Sequence, residues 1–280
     1  MVFDLESNPP LPNHPFIRLV EVTKSFRDET AKGGLRVLDR VSFEVERGET
    51  VVILGRSGVG KSVTLKHVLG FLRPDSGSVW VDGREVSGMS EAELFEIRRK
   101  VTMVFQSGAL FDSLTVGENI AFPLREKRNL KEEEIHRRVR ELMAQVDLPD
   151  PSHLADQMPS DLSTGMKRAV AIARALAAEP EAILYDEPTT MVDPLMVQTL
   201  ADLMLKLKER MRLTSLIVTH DTKLARKLAD RVVFLVDGKV AFFGTVAQLD
   251  TLPHEFIREF LERGGVSLLD SSSGLPGREI

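Results

Sequence analysis

Eight consecutive residues, Gly55-Arg56-Ser57-Gly58-Val59-Gly60-Lys61-Ser62, have the spacing of a loop that wraps phosphate. Gly58 and Gly60 let the backbone curl, so that successive N–H groups face an anion. A helix that starts at Lys61 and continues through Val63 adds its positive N-terminal end. Lys61 then supplies a compact charge to the β- and γ-phosphates, and the Ser62 hydroxyl offers an oxygen to Mg²⁺. The plainer alternative is a glycine turn beside an ordinary lysine. Asp186-Glu187 is the second unusual pair, two adjacent acids closing the apolar run Ala182-Ile183-Leu184-Tyr185. Two charges at a sheet rim are costly unless they are used. Asp186 is expected to hold Mg²⁺. Glu187, on the other side of the strand, is expected to take a proton from an attacking water. The alternative is a strand end with two solvated acids. Together the two signals imply a nucleotide hydrolase of the phosphate-loop class.

Four more positions could serve such a site. Leu162-Ser163-Thr164-Gly165-Met166 opens an Ala-rich helix, 23 residues before Asp186 (186 − 163). A Ser and a Gly at a helix N-terminus make an anion site, although simple capping by Ser163 is common. Gln106 ends an apolar strand, 45 residues after Lys61 (106 − 61). His220 follows the strand Ser215–Val218, 33 residues after Glu187 (220 − 187). Asp193 lies in a turn before Pro194.

The elements that position these residues alternate between strand and helix. Ile17–Val22 and Val41–Val45 read as strands. Thr50-Val51-Val52-Ile53-Leu54 is a short β-branched run next to glycine, the pattern of a parallel strand buried on both faces. A helix is expected from Lys61 to Leu72, stopped by Pro74. The stretch from Glu91 to Glu179 reads as mostly helical, with clear periodicity at Glu91–Arg99, Lys131–Val146 and Met166–Ala178. Strands return at Ala182–Tyr185, Ser215–Val218 and Val232–Val236, with a helix at Leu195–Met211. The whole is an α/β chain with a mostly parallel sheet and an inserted helical block. Residues 1–15 read as a loose leader and the end from Gly264 as a flexible tail.

Composition narrows the classes. The 280 residues carry 37 Lys+Arg against 42 Asp+Glu, a net charge of −5 that argues against coating nucleic acid. Without cysteine there is no disulfide framework, thiolate zinc site or thiol nucleophile. No apolar run reaches the roughly 18 residues of a membrane span. The basic runs Arg98-Arg99-Lys100 and Arg137-Arg138-Val139-Arg140 read as solvated helix faces, and His67, His136, His153 and His254 lack metal-ligand spacing.

The phosphate loop, Gln106, Leu162–Met166, Asp186-Glu187, Asp193 and His220 come in the order found in ABC-type ATPases, a resemblance that covers roughly 16–249. It implies a RecA-like phosphate-loop NTPase core, an antiparallel β-subdomain near the N-terminus and a helical subdomain at about 107–179; residues 250–280, beyond it, read as a C-terminal extension and tail. It also implies ATP and Mg²⁺ as ligands, bound through Gly55, Arg56, Ser57, Gly58, Val59, Gly60, Lys61, Ser62 and Val63. Ser62, Asp186 and Gln106 would form the metal set. Lys61, Gln106, Glu187 and His220 would be the catalytic groups, with His220 touching the γ-phosphate. Phe26 would stack on adenine, where the alternative is a core phenylalanine.

Such ATPases work as head-to-tail pairs, so a second copy of the chain would supply Ser163 and Gly165 to each ATP, and Asp193 would link the two sites. Phe105–Phe111, Thr115-Val116 and Asn119–Leu124 look like the corresponding segment of ATPases that energise MCE-associated phospholipid transporters of the Mla and Mkl type, as does Gly165-Met166. That closer resemblance implies membrane permease subunits and an MCE-domain lipid-binding protein as partners, and a peripheral place on the cytoplasmic face of the inner membrane. Thr164 and Met191 depart from the family pattern, which bears on rate and dimer contacts. The rival readings are a motor for amino acids or metal chelates, an ABC ATPase of DNA or ribosomes, and a nucleotide-binding regulator that does not hydrolyse.

Overall fold

The computed structural model describes residues 14–27, 34–127 and 130–262; the leader (but for its last two residues) and the tail expected from the sequence lie outside them. The chain opens with strands β1 (Ile17–Phe26), β2 (Leu35–Val45) and β3 (Thr50–Leu54), then helix α1 (Lys61–Val68). Strands β4 (Ser76–Val81) and β5 (Arg84–Glu85), helix α2 (Glu91–Lys100) and strand β6 (Val101–Val104) follow. Four helices come next: α3 (Val116–Glu126), α4 (Glu132–Gln145), α5 (Pro151–Leu154) and α6 (Thr164–Ala177). The chain then alternates through β7 (Ala182–Asp186), α7 (Pro194–Met211), β8 (Thr214–Thr219), α8 (Thr222–Leu228), β9 (Arg231–Val236) and β10 (Lys239–Thr245). Two short helices, α9 (Val246–Asp250) and α10 (Glu255–Glu262), close it.

The strands form two sheets. A four-stranded antiparallel sheet has the order β2-β1-β4-β5, and a six-stranded sheet has the order β10-β9-β3-β8-β7-β6. In the larger sheet β6, β7, β8, β3 and β9 run parallel, and only β10 is antiparallel. β3 is buried along its whole length, as its unbroken apolar pattern requires. Its side chains divide by parity. Val52 and Leu54 join a core formed with α3, α4, α6 and α7, whereas Val51 and Ile53 join a core formed with α1, α2 and the antiparallel sheet. One central strand therefore ties together both halves of the molecule.

Three expectations need correction. α1 ends at Val68, not Leu72: Gly70 takes a left-handed φ of 66°, and Phe71 N–H turns back to Lys66 O, so glycine ends the helix before Pro74 is reached. The stretch from Glu91 to Glu179 is less helical than its composition suggests, because β6 is an edge strand of the parallel sheet paired with β7. The basic run at the end of α2 is not simply solvated. Arg98 donates to Leu69 O and lies over the Phe71 ring, and Lys100 pairs with Asp82 and Glu181. Arg47 pairs with the same two acids, so four charges join the turn after β4 to the starts of β6 and β7.

The segment from Gln106 to Thr115 has no regular structure, and its second half is held by the Asn119 side chain. Asn119 is fully buried; its Oδ1 accepts from Phe111 N, and its Nδ2 donates to the carbonyls of Phe111, Leu114 and Thr115. Thr115 and Glu118 cap the same helix reciprocally. Replacing Asn119 by Leu takes the side-chain partner from Phe111 N and Leu114 O and puts an apolar group in its place, and denaturant melts are expected to show a loss of roughly 2 kcal/mol.

Candidate functional site

The glycine-rich loop from Gly55 to Gly60 leaves the C-terminal end of β3 and enters α1, at the edge of a parallel sheet where ligands of open α/β folds gather. Gly58 and Gly60 both have positive φ, 81° and 107°. At Gly60 a Cβ would also lie 2.6 Å from Leu38 Cδ2 and 2.8 Å from Val37 O, so β2 leaves no room for a side chain. Gly60 is the N-cap of α1, and no side chain caps that end. The first-turn N–H groups are thus available to an anion.

Lys61 is buried, and its Nζ donates to Gly55 O at 2.9 Å and Arg56 O at 3.1 Å. The same Nζ lies 3.2 Å from Glu187 Oε1. The other oxygen of Glu187 accepts from Thr190 Oγ1 at 3.1 Å and lies 2.9 Å from His220 Nδ1. Ser62 Oγ donates to Asp186 Oδ1 at 2.7 Å. Strand alternation would put Asp186 and Glu187 on opposite faces. Glu187 instead lies one residue beyond β7 with a left-handed φ of 47°, so both carboxylates reach the loop, Asp186 at Ser62 and Glu187 at Lys61.

Electrostatics separates the two acids. Burial raises the Asp186 carboxyl above its ordinary range; the Ser62 bond opposes this and the Glu187 charge adds to it. Burial also acts to raise Glu187, but the His220 hydrogen bond and the Lys61 and His220 charges outweigh it, and the net direction is down. His220 is raised, first by its hydrogen bond to Glu187.

Lys61, Ser62, Gln106, Glu187, Thr190 and His220 line one cleft of about 340 Å³, together with Ser57, Gly58, Gly60, Val63 and Val37. Gln106 reaches it from a loop two residues past β6, not from the strand itself. Thr190 was not legible in the sequence; the short distance from Glu187 is the only hint. Several expected residues stand outside these walls. Phe26 is 37% exposed at the end of β1, opposite Leu35, so it is not a core residue; Lys24 Nζ lies 5.8 Å from its ring centre. Arg56 is exposed. Ser163 caps α6 and is exposed, but Gly165 is buried against α7, where a Cβ would come within 2.5 Å of Met196 Cε and push that flexible side chain aside. Asp193 caps α7 by accepting from Met196 N. Met191 is 85% exposed in the left-handed region. Among the described residues no cluster of His, Asp and Glu has the makings of a multidentate metal site, and no helix is long and apolar enough to cross a membrane.

A family model described as ABC transporter matches residues 38–190. The intermembrane phospholipid transport system ATP-binding protein MlaF of Haemophilus influenzae is 39% identical over 232 residues, 82% of this chain and 85% of the relative. The methionine import ATP-binding protein MetN of Carboxydothermus hydrogenoformans is 39% identical over 231 residues, 82% of this chain and 67% of the relative. Among solved structures, the ADP- and phosphate-bound post-hydrolysis dimer of the ATP-binding cassette MJ0796 superposes with a TM-score of 0.75 at 34% identity, covering 82% of this chain and 98% of that one. The chain belongs to the ABC transporter family and is one of its ATP-hydrolysing cassettes.

The His220–Glu187 contact makes stability depend on pH. A histidine raised above its ordinary 6.5 contributes stability that is complete below that value and is lost as pH rises through the folded value. Thermal melts of the nucleotide-free chain are expected to fall across that window, and the fall should be smaller in His220→Gln.

Proposed function

We propose that this chain is the ATP-hydrolysing subunit of a membrane lipid transporter, working as a head-to-tail pair that encloses two ATP molecules. Residues 16–249 form the cassette in this reading, with its helical part at about 107–179 and the C-terminal extension at 250–280. In each site Glu187 accepts the proton of the attacking water, His220 and Gln106 hold the γ-phosphate and the water, and Lys61 holds the β- and γ-phosphates. The loop backbone from Gly55 to Val63 wraps the phosphates, and Phe26 takes the adenine. Ser163 and Gly165 complete the site of the partner copy, and Asp193 joins the two sites. As water bonds to the γ-phosphorus, the bond to the bridging oxygen breaks and ADP leaves with the electron pair.

The resting contacts support this order of events. Lys61 lies between two carbonyls and Glu187, all weaker partners than a triphosphate. When Lys61 turns to phosphate, Glu187 loses one of the charges that hold its pKa down. Burial then raises it, which makes it a better base. Mg²⁺ fits the same corner. Ser62 and Asp186 present oxygens 2.7 Å apart, and Asp186 is a half-buried carboxylate with no cation within ion-pair distance among the described residues. These two would hold the ion beside Gln106, and it would neutralise phosphate charge.

The observation that carries the membrane part of the reading is a groove of about 390 Å³ beside Gln106. Phe71, Phe105, Phe111 and Phe122 line it and are all at least 36% exposed. Aromatic side chains exposed together mark a surface for a protein partner. A helix of a permease subunit is the occupant this reading requires, on the cytoplasmic face of the inner membrane and with an MCE-domain protein in the wider complex; nucleic acid has no part in it. The make-up of the 105–124 segment and Gly165-Met166 support lipid as cargo. The equal similarity to a methionine importer favours a second reading, an amino-acid motor on the same chemistry.

Glu187→Gln is expected to lower ATP turnover by about 100-fold or more. With Mg²⁺ and ATP it should sediment as a stable dimer, while the parent returns to monomer as ATP is consumed. Tagged chain purified from its native membranes is expected to bring a permease whose complex carries phospholipid. Recovery with a methionine permease would decide for the second reading.

A further inference from the structure

Helix α6 carries a buried cation that the chemistry above does not use. Arg168 is 3% exposed, and among the described residues no carboxylate lies within ion-pair distance. Burial alone lowers its pKa. Its Nε has no hydrogen-bond partner, and its other nitrogens make two long contacts, Nη1 to Phe105 O at 3.4 Å and Nη2 to Thr190 O at 3.5 Å. A guanidinium without a counter-ion is an expensive way to fill space, and an apolar side chain of similar volume is often as good or better.

The two acceptors show what the charge does. Phe105 O is the backbone next to Gln106, at the inner edge of the aromatic groove. Thr190 O belongs to the residue whose hydroxyl donates to Glu187 at 3.1 Å. Arg168 therefore reaches the backbone of both loops. Further along the helix, Arg174 holds the same segment through Gly108 O and Ala109 O, at 3.1 and 2.8 Å, so α6 carries this stretch of backbone at two points.

We propose that Arg168 is a positioning residue that ties the Phe105–Gln106 backbone to Thr190, and through the Thr190 hydroxyl sets the orientation of Glu187. The inference rests on Glu187 as the proton acceptor and adds the device that aims it. Movement of the 105–109 segment would then reach the reacting water without a change in nucleotide contacts.

The test uses the full-length chain with Arg168→Met, Arg168→Lys, Thr190→Val and the Met/Val double variant. A positioning role predicts that Arg168→Met keeps or raises the melting temperature and leaves KM for ATP within about threefold, while kcat falls about tenfold. Arg168→Lys should restore part of that kcat. In the Thr190→Val background, where the link to Glu187 is already cut, Arg168→Met should cost less than about threefold. A kcat within about twofold of the parent, or a full tenfold loss in both backgrounds, overturns the proposal. If Arg168→Met does not fold, Arg168→Lys carries the same cycle, with a kcat loss expected in the parent but not with Thr190→Val. Glu187→Gln is run alongside: if it keeps turnover, the proton-acceptor reading fails, whereas if it is inactive and Arg168→Met is normal, only the positioning role fails.

Discussion

A buried ammonium needs an anion. Lys61 sits at the first turn of α1 with its charge out of water and the helix dipole pointing the same way. Two loop carbonyls and one carboxylate, Glu187, meet that need in the nucleotide-free chain. The rest of the site follows from this arrangement. The glycines let the backbone turn its N–H groups inward, Glu187 leaves the strand in a left-handed conformation to reach Lys61, and His220 and Thr190 hold its second oxygen. In the proposed cycle a triphosphate satisfies the same charge better, and the group that held Lys61 at rest would then be the group that works on water.

The architecture makes this economical. All six cleft residues singled out above come from loops or helix starts at one end of parallel strands, and β3 between them is held from both faces by separate cores. A rigid centre with the cleft residues on its rim allows loops to move without disturbing the sheet. The helices α3 to α6 enter between β6 and β7, so the segment carrying Gln106 starts from the sheet and is then held by α6 and by Asn119. Groove and cleft share that segment, which places the aromatic surface and the cleft a few residues apart.

Much of this was legible in the residues themselves, and the misses have a common cause. The places of Gly55–Ser62 between a strand and a helix and of Asp186-Glu187 at a strand end were readable because the flanking runs named their elements. β3, β7, β8 and β9 were readable because burial on both faces leaves no polar interruption. β4, β5 and β10 were not: they alternate only partly, and β4 contains Gly77, whose φ of 86° would argue against a strand. The end of α1 was misplaced because Pro74 is the louder stop signal, yet Gly70 acts first. The orientation of Glu187 was misread because alternation presumes an extended backbone. The structural parts played by Asn119, Arg168 and Thr190 were not legible, since each owes its place to partners that only folding brings near, and their residue types are ordinary.

The central claim is that Glu187 and the triphosphate compete for Lys61. The most direct measurement is the dissociation constant of a non-hydrolysable ATP analogue for the parent and for Glu187→Gln, by calorimetry in one buffer at fixed salt. The account predicts tighter binding by the Gln variant, by about tenfold, because the anion no longer has to displace a carboxylate and no longer meets its charge. Equal or weaker binding would contradict it.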